Sequence, residues 1–142
     1  MEINNLLLVL LPIVAALVSS YFTYYFTIKS KKSEAILKFK EEKYANLLVL
    51  LQGFVGATVS ADAKRKFFEE QYKSWLYCSD DIVKAINKMV QLVIASRGKE
   101  PNPDEGRKAI GNIVIAMRKD LLGKTNLNWH DFQYTDVTED KR

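Results

Sequence analysis

Apolar positions follow two patterns along the chain. From Leu6 to Ile28 the run LLLVLLPIVAALVSSYFTYYFTI carries no charge. As a helix rising about 1.5 Å per residue it is about 34 Å long, enough to cross a hydrocarbon layer of about 30 Å with some tilt. Beyond it the apolar residues recur at helical spacing. Leu37, Tyr44, Leu48, Leu51 and Val55 share one face, and Leu47 and Phe54 widen it. Ser33 is a suitable N-cap and Glu34 suits the first turn. Only Lys29–Lys32 separates this helix from the apolar run, so the two are expected to be nearly continuous. Gly53, Gly56, Ala57, Ser60 and Ala61 follow. Glycine lowers helix propensity by about 1 kcal/mol, so tight packing or a bend is expected near Gly53–Ala61.

Three more helices follow. The second is expected from Ser60 or Asp62 to Tyr77, with Phe67, Phe68, Tyr72, Trp75 and Leu76 facing inward. Ser79 then supplies a capping side chain, with Asp80 and Asp81 in the first turn, where the helix dipole favours acids. Ile82, Ala85, Ile86, Met89, Val90, Val93 and Ile94 form the apolar face of the third helix, which Arg97-Gly98 closes. Lys99–Asn102 is a loop. Asn102-Pro103-Asp104-Glu105 opens the fourth helix with a cap, a proline and two acids. Ile110, Ile113, Val114, Met117 and Leu121 give its buried stripe, and Gly123 ends it. Lys124–Arg142 reads as an extended tail in which Leu127, Trp129, Phe132 and Tyr134 tuck onto the helices and Thr135–Arg142 is disordered. The fold class is therefore all-α: an N-terminal transmembrane helix followed by an antiparallel four-helix cytosolic bundle. The divisions are 1–5, a short external N-terminus; 6–28, the transmembrane helix; 29–123, the bundle; and 124–142, the tail.

Charge sets the direction. The N-terminal flank holds Glu2 and no base, whereas Lys29, Lys31 and Lys32 follow the span. Lysines beside a span stay cytoplasmic, so the expected topology is single-pass in the inner (plasma) membrane, N-terminus outside and residues 29–142 inside. A cleaved signal peptide fits less well, because the leading segment is acidic and the apolar run continues past any cut after Ser20. A core helix of a soluble domain rarely keeps so long an uncharged run. Tyr21, Phe22, Tyr24, Tyr25 and Phe26 crowd the lysine end as an interface belt with Lys29, Lys31 and Lys32. Ala15, Ser19, Thr23 and Thr27 recur every fourth residue, a stripe that permits close helix approach and self-association, although small residues are common in spans generally. Pro12 is expected to kink the outer end.

Composition narrows the partners. The formal charge is +4, and the excess lies near the span, which favours anionic lipid. Acids interrupt every basic run and no stacking pattern accompanies them, which argues against nucleic acid. Lys64-Arg65-Lys66 reads as a solvated face. The single cysteine, Cys78, excludes an intrachain disulfide. Asp80 and Asp81 disfavour a thiolate beside it. The one histidine, His130, has no companion ligands, and the glycines lack phosphate-loop spacing. No catalytic residue, metal or cofactor is expected, and the chain reads as non-enzymatic. Arg118 and Asp120 interrupt the apolar fourth helix. If the third and fourth helices are antiparallel, Arg118 reaches Asp80 or Asp81 in a structural ion pair; otherwise it is an exposed last-turn cation.

Trp75-Leu76-Tyr77-Cys78-Ser79-Asp80-Asp81-Ile82 and Ala116-Met117-Arg118-Lys119-Asp120-Leu121 carry a resemblance. Over about Ala35–Thr125 the chain resembles small uncharacterised single-pass bacterial and phage membrane proteins with a helical cytosolic domain and Leu-Tyr-Ala-Ser-Asp-like and Met-Arg-Lys-Asp-Leu-like segments. The resemblance implies the architecture and no reaction. Cys78 stands where alanine is more usual. The resulting expectation is a membrane-anchored helical interaction module, with the lipid bilayer, a second copy and an unassigned protein as partners. The alternative is a membrane-disrupting effector, phage-defence or lysis-related, whose spans assemble through Ser19, Ser20, Thr23 and Thr27.

Overall fold

The computed structural model describes residues 2–54, 60–96 and 102–133, with side chains from residue 8 onward. The described residues are all helix, turn or loop, with no strand. Helix α1 runs unbroken over Glu2–Leu51 and gives way to a 3-10 turn at Gln52–Phe54. Helices α2 (Ala61–Ser74), α3 (Asp80–Ala95) and α4 (Pro103–Leu122) follow, and a second 3-10 turn lies at Trp129–Asp131. Pro12 sits inside α1 without ending it. By packing, the chain forms two units, Met1–Phe39 and Lys40–Arg142. The lysine cluster at Lys29–Lys32 and the start of the packed unit at Lys40 are thus different boundaries.

Along α1 from Leu8 to Phe39 every side chain is exposed. Leu8, Leu17 and Tyr21 are 73%, 66% and 67% exposed, against which Leu47 is fully covered. The core of the second unit draws Tyr44, Leu47 and Leu51 from α1, Phe67 from α2, Ile82, Ile86 and Met89 from α3, and Ile110, Ile113 and Met117 from α4. Phe54 meets Phe67 edge-on at 5.0 Å and Phe68 at 5.9 Å. Gly53 is needed for the close approach at this corner: a Cβ there would stand 2.6 Å from Ala63 Cβ.

Local signals set most helix ends. Ser60 caps α2 by accepting from the Ala63 amide, and Asn102 caps α4 by accepting from the Asp104 amide. Gly123 closes α4 at φ 77°, a left-handed conformation that favours glycine. Asn128 and Asp131 form a reciprocal capping box around the second 3-10 turn. That turn lies on α4, where a Cβ at Gly111 would meet the Trp129 carbonyl oxygen at 2.9 Å. Phe132 is half-buried on the core, whereas Leu127 is exposed. Arg97-Gly98, expected to close α3, together with Val55, Gly56 and Ala57 and the tail from Tyr134 onward, lie outside the described residues, and α3 ends at Ala95.

The inward face of α2 corrects the expectation. Tyr72, Trp75 and Leu76 are exposed, while Gln71 and Ser74 are buried. The inner stripe follows Phe67, Gln71 and Ser74, a spacing of four and three. The polar members are satisfied on the spot. Gln71 Nε2 donates to Asn87 Oδ1 at 3.4 Å, and Ser74 Oγ donates to the Gln71 carbonyl at 2.6 Å. With its hydrogen bonds made locally, a polar side chain enters an apolar layer at little cost. Helix α2 also ends at Ser74, short of Tyr77. Ile94, Leu37 and Leu48, expected inside, are exposed as well.

Two glycine substitutions follow from this packing. Gly53→Ala is expected to lose about 1–3 kcal/mol in urea unfolding, because Ala63 has no flexible end to move aside. Gly111→Ala is expected to lift the Trp129 turn off α4. In a Trp75→Phe background, Trp129 fluorescence then shifts to the red before the helices melt.

Candidate functional site

Two features of the chain stand out as sites: the uncovered apolar length of α1 and a polar cluster at the opening of the packed unit. On α1, Ala15, Ser19, Thr23 and Thr27 lie at four-residue spacing and are exposed. The Thr23 hydroxyl donates to the Ser19 carbonyl at 2.8 Å, so it is engaged within its own helix. Tyr21, Tyr24 and Tyr25 are exposed, and so are Lys29, Lys31 and Lys32. Phe22 and Phe26 stack at 6.3 Å, and Tyr25 meets Phe26 edge-on at 5.9 Å. The segment passes the length and hydropathy test for a membrane span, with a mean hydropathy of 1.7 in its best stretch and none of that stretch buried.

The polar cluster is built around Asp120 on α4. Its Oδ2 accepts from Lys40 Nζ at 2.8 Å and from the Tyr44 hydroxyl at 2.7 Å. Lys40 and Tyr44 are four apart on α1 and so project from one face. Ser79, at the N-cap position of α3, makes no side-chain cap bond there and lines the same hollow as Asp120. Lys40–Asp120 is the one pair among the described ion pairs that joins residues far apart in sequence; Arg65–Asp62, Lys66–Asp62 and Lys73–Glu70 are all within one helical turn.

The electrostatics follow from partial burial. Burial alone would raise the Asp120 carboxyl, but the Lys40 ammonium and the Tyr44 hydroxyl hold it below the usual carboxylate value. Burial, together with the bond to Asp120, drives the Tyr44 phenol well above its ordinary value. Burial also pushes the Cys78 thiol up to about 11 and Tyr77 up to about 12. Cys78 is half-buried against the core, and a thiol so raised is mostly protonated at neutral pH. A shallow hollow of about 230 Å³ opens beside the cluster, lined by Ser79, Asp81, Ala116, Lys119, Asp120 and Gly123. Among the described residues no three His, Cys, Asp or Glu side chains gather at metal-binding distance.

Arg118 and the acids of α3 are placed differently from the expected ion pair. Arg118 is exposed, and its Nε donates to Thr125 Oγ1 at 3.3 Å. Asp80 and Asp81 remain exposed first-turn acids of α3. None of the described ion pairs joins Arg118 to either. The neighbouring acid, Asp120, makes the cross-helix contact instead. It lies two residues along α4, about 200° around the helix from Arg118, which turns one toward α1 and the other toward solvent. Lys40 and Tyr44 were missed as its partners; their signal was a lysine and a tyrosine four apart leading into the stripe of Leu47 and Leu51. His130 is exposed and stacked on Trp129 at 3.5 Å.

Comparison with known protein families, with curated proteins and with solved structures found no match.

Asp120→Ala is expected to cost about 2–3 kcal/mol in chemical denaturation, since it strips two charge-assisted hydrogen bonds from α1. Arg118→Ala is expected to change stability by less than about 0.5 kcal/mol, as befits an exposed side chain. The pH dependence has a fixed sign. The folded-state value of Asp120 lies below its unfolded value, so its contribution is complete above the unfolded value and is lost as pH falls through the folded one. Unfolding titrations of the wild type and Asp120→Asn should converge in acid and diverge toward neutral pH.

Proposed function

We propose that the chain is a membrane-anchored, non-enzymatic helical interaction module, with the first half of α1 as its single span. The observation that carries this reading is the exposure of every apolar side chain from Leu8 to Ile28. Left in water, an uninterrupted apolar surface of that length is a strong drive toward lipid or another apolar partner. Lys29, Lys31 and Lys32 at one end and tyrosines just before them support an inner-leaflet boundary there, with the N-terminus outside and residues 29–142 cytoplasmic. The packed unit then works at the membrane surface, where tethering raises its effective concentration for partners.

Three contacts support an antiparallel order in that unit. Gly53 after α1 lies against Ala63 early in α2. Tyr44 on α1 meets Tyr77 just past α2 at 6.2 Å. Ser79 before α3 and Asp120 near the end of α4 line one hollow. The proposed architecture is a four-helix antiparallel bundle whose first helix is the continuation of the span. The resemblance to small bacterial and phage membrane proteins is in keeping with this arrangement. The small-residue stripe is the proposed face for self-association. The membrane-disrupting reading has less support, because the Thr23 hydroxyl spends its proton on the Ser19 carbonyl of its own helix.

Fractionation of a detergent-free lysate tests the anchor. The full chain should pellet with membranes and resist carbonate extraction. Leu17→Arg, which adds about 2.5–3.5 kcal/mol to insertion at the centre of a span, should shift it toward the supernatant. A tag after Arg142 should be protected from protease in intact cells; its digestion there would reverse the orientation.

A further inference from the structure

The hold on α1 within the packed unit has two layers. One is apolar: Leu47 and Leu51 sit among Phe67, Ile82, Ile86 and Ile113. The other is polar and lies one turn earlier, where Lys40 and the hydroxyl of Tyr44, whose ring is itself part of the core, reach Asp120. The two layers differ in what breaks them. Removing a shared acceptor leaves an ammonium and a phenol without their partner, while the apolar contacts one turn away are untouched. Regions held by few apolar contacts open below the free energy of global unfolding.

We infer that Asp120 is a latch: it holds the Lys40–Tyr44 turn of α1 against α4 and the α2–α3 turn, and losing its charge opens that turn locally while Leu47 and Leu51 stay packed. The inference goes beyond the anchoring role and does not depend on it. The groups facing the carboxylate are Lys40 and Tyr44 from α1, Cys78 and Ser79 from the segment between α2 and α3, and Asp81 and Lys119, which line the adjoining hollow. Of these, Lys40 offers the direct opposite charge, and it approaches the same oxygen as Tyr44. Side-chain exposure at the pair is low, 24% for Lys40 and 16% for Asp120, so water competes poorly while the latch is closed. Opening further uncovers Cys78, which is half-buried against the core that Tyr44 belongs to.

Because Cys78 is the single cysteine of the chain, its modification rate reports the latch directly. The full chain, held in solution by a mild detergent, is labelled with a maleimide across a pH series, and rates are compared per thiolate. This corrects for the influence of Lys40 and Asp120 on the thiol itself. Asp120→Asn and Lys40→Met are expected to label on the order of tenfold faster than the wild type. Tyr44→Phe, which keeps the ring and loses only the hydroxyl, should give a smaller increase. Ile113→Ala is the reference for global destabilisation, and its labelling should rise only in step with its unfolded fraction by circular dichroism. The latch is overturned if the variants label at the wild-type rate, or if their acceleration tracks the unfolded fraction as in Ile113→Ala. Should Asp120→Asn not fold, Lys40→Met and Tyr44→Phe decide between these results on their own.

Discussion

The hydrophobic effect treats one helix in two ways. Helix α1 is 50 residues long. Its side chains from Leu8 to Phe39 are uncovered, while three residues beyond, Tyr44, Leu47 and Leu51, are almost wholly buried. Each large apolar side chain gains about 1.5–3 kcal/mol on leaving water. The second half of α1 collects that gain from the other helices. The first half has no protein surface to collect it from among the described residues. Its lack of amphipathic periodicity has the same origin: a helix apolar on all sides has no preferred inner face. The sequence change from a uniform to a periodic apolar pattern is therefore a change in what surrounds the helix, made without breaking the backbone.

Where the pattern changes, polar groups take over the work of registration. Apolar stripes slide with little penalty, since Leu against Ile is much like Leu against Met. A carboxylate that must meet an ammonium and a phenol at hydrogen-bond distance permits one register. Asp120 therefore fixes how far along and how far around α1 docks on α4. Such a partly buried pair adds modest net stability, because desolvation offsets much of the attraction. Its larger effect is to make other dockings leave a charge unmatched.

Helix ends were legible in the sequence because each depends on a few adjacent residues. Ser60, Asn102-Pro103 and Gly123 carry their own signals, and the chain obeys them. The stripes of α3 and α4 were legible because Ile82, Ile86 and Met89, and Ile110, Ile113 and Met117, are both apolar and correctly spaced. Helix α2 was not legible in the same way. Its aromatic residues suggested one face, but burial went to Gln71 and Ser74, whose polar atoms find Asn87 and a backbone carbonyl. Apolarity alone misreads a face when polar side chains bring their own partners. Asp120 was visible as an intruder in an apolar helix, yet its partners lie 80 and 76 residues away, on α1. No local rule names a partner at that separation.

The inverted face of α2 and the Asp120 cluster share one cause. The segment Gln71–Ser79 must cross from α2 to α3 beside Tyr44, and a turn exposes backbone groups that need partners. The chain meets that need with Ser74, whose carbonyl accepts the Cys78 amide at 2.8 Å, while its hydroxyl turns back to Gln71. Placing Ser74 inside rotates α2 so that Tyr72 and Trp75 face outward. It also brings Cys78 and Ser79 to Tyr44 and Asp120. An apolar residue at position 74 would keep its backbone carbonyl for Cys78, but it would lose the side-chain bond to Gln71. The polar inner corner thus sets the face of α2 and the path of the turn that brings Ser79 beside the hollow Asp120 lines.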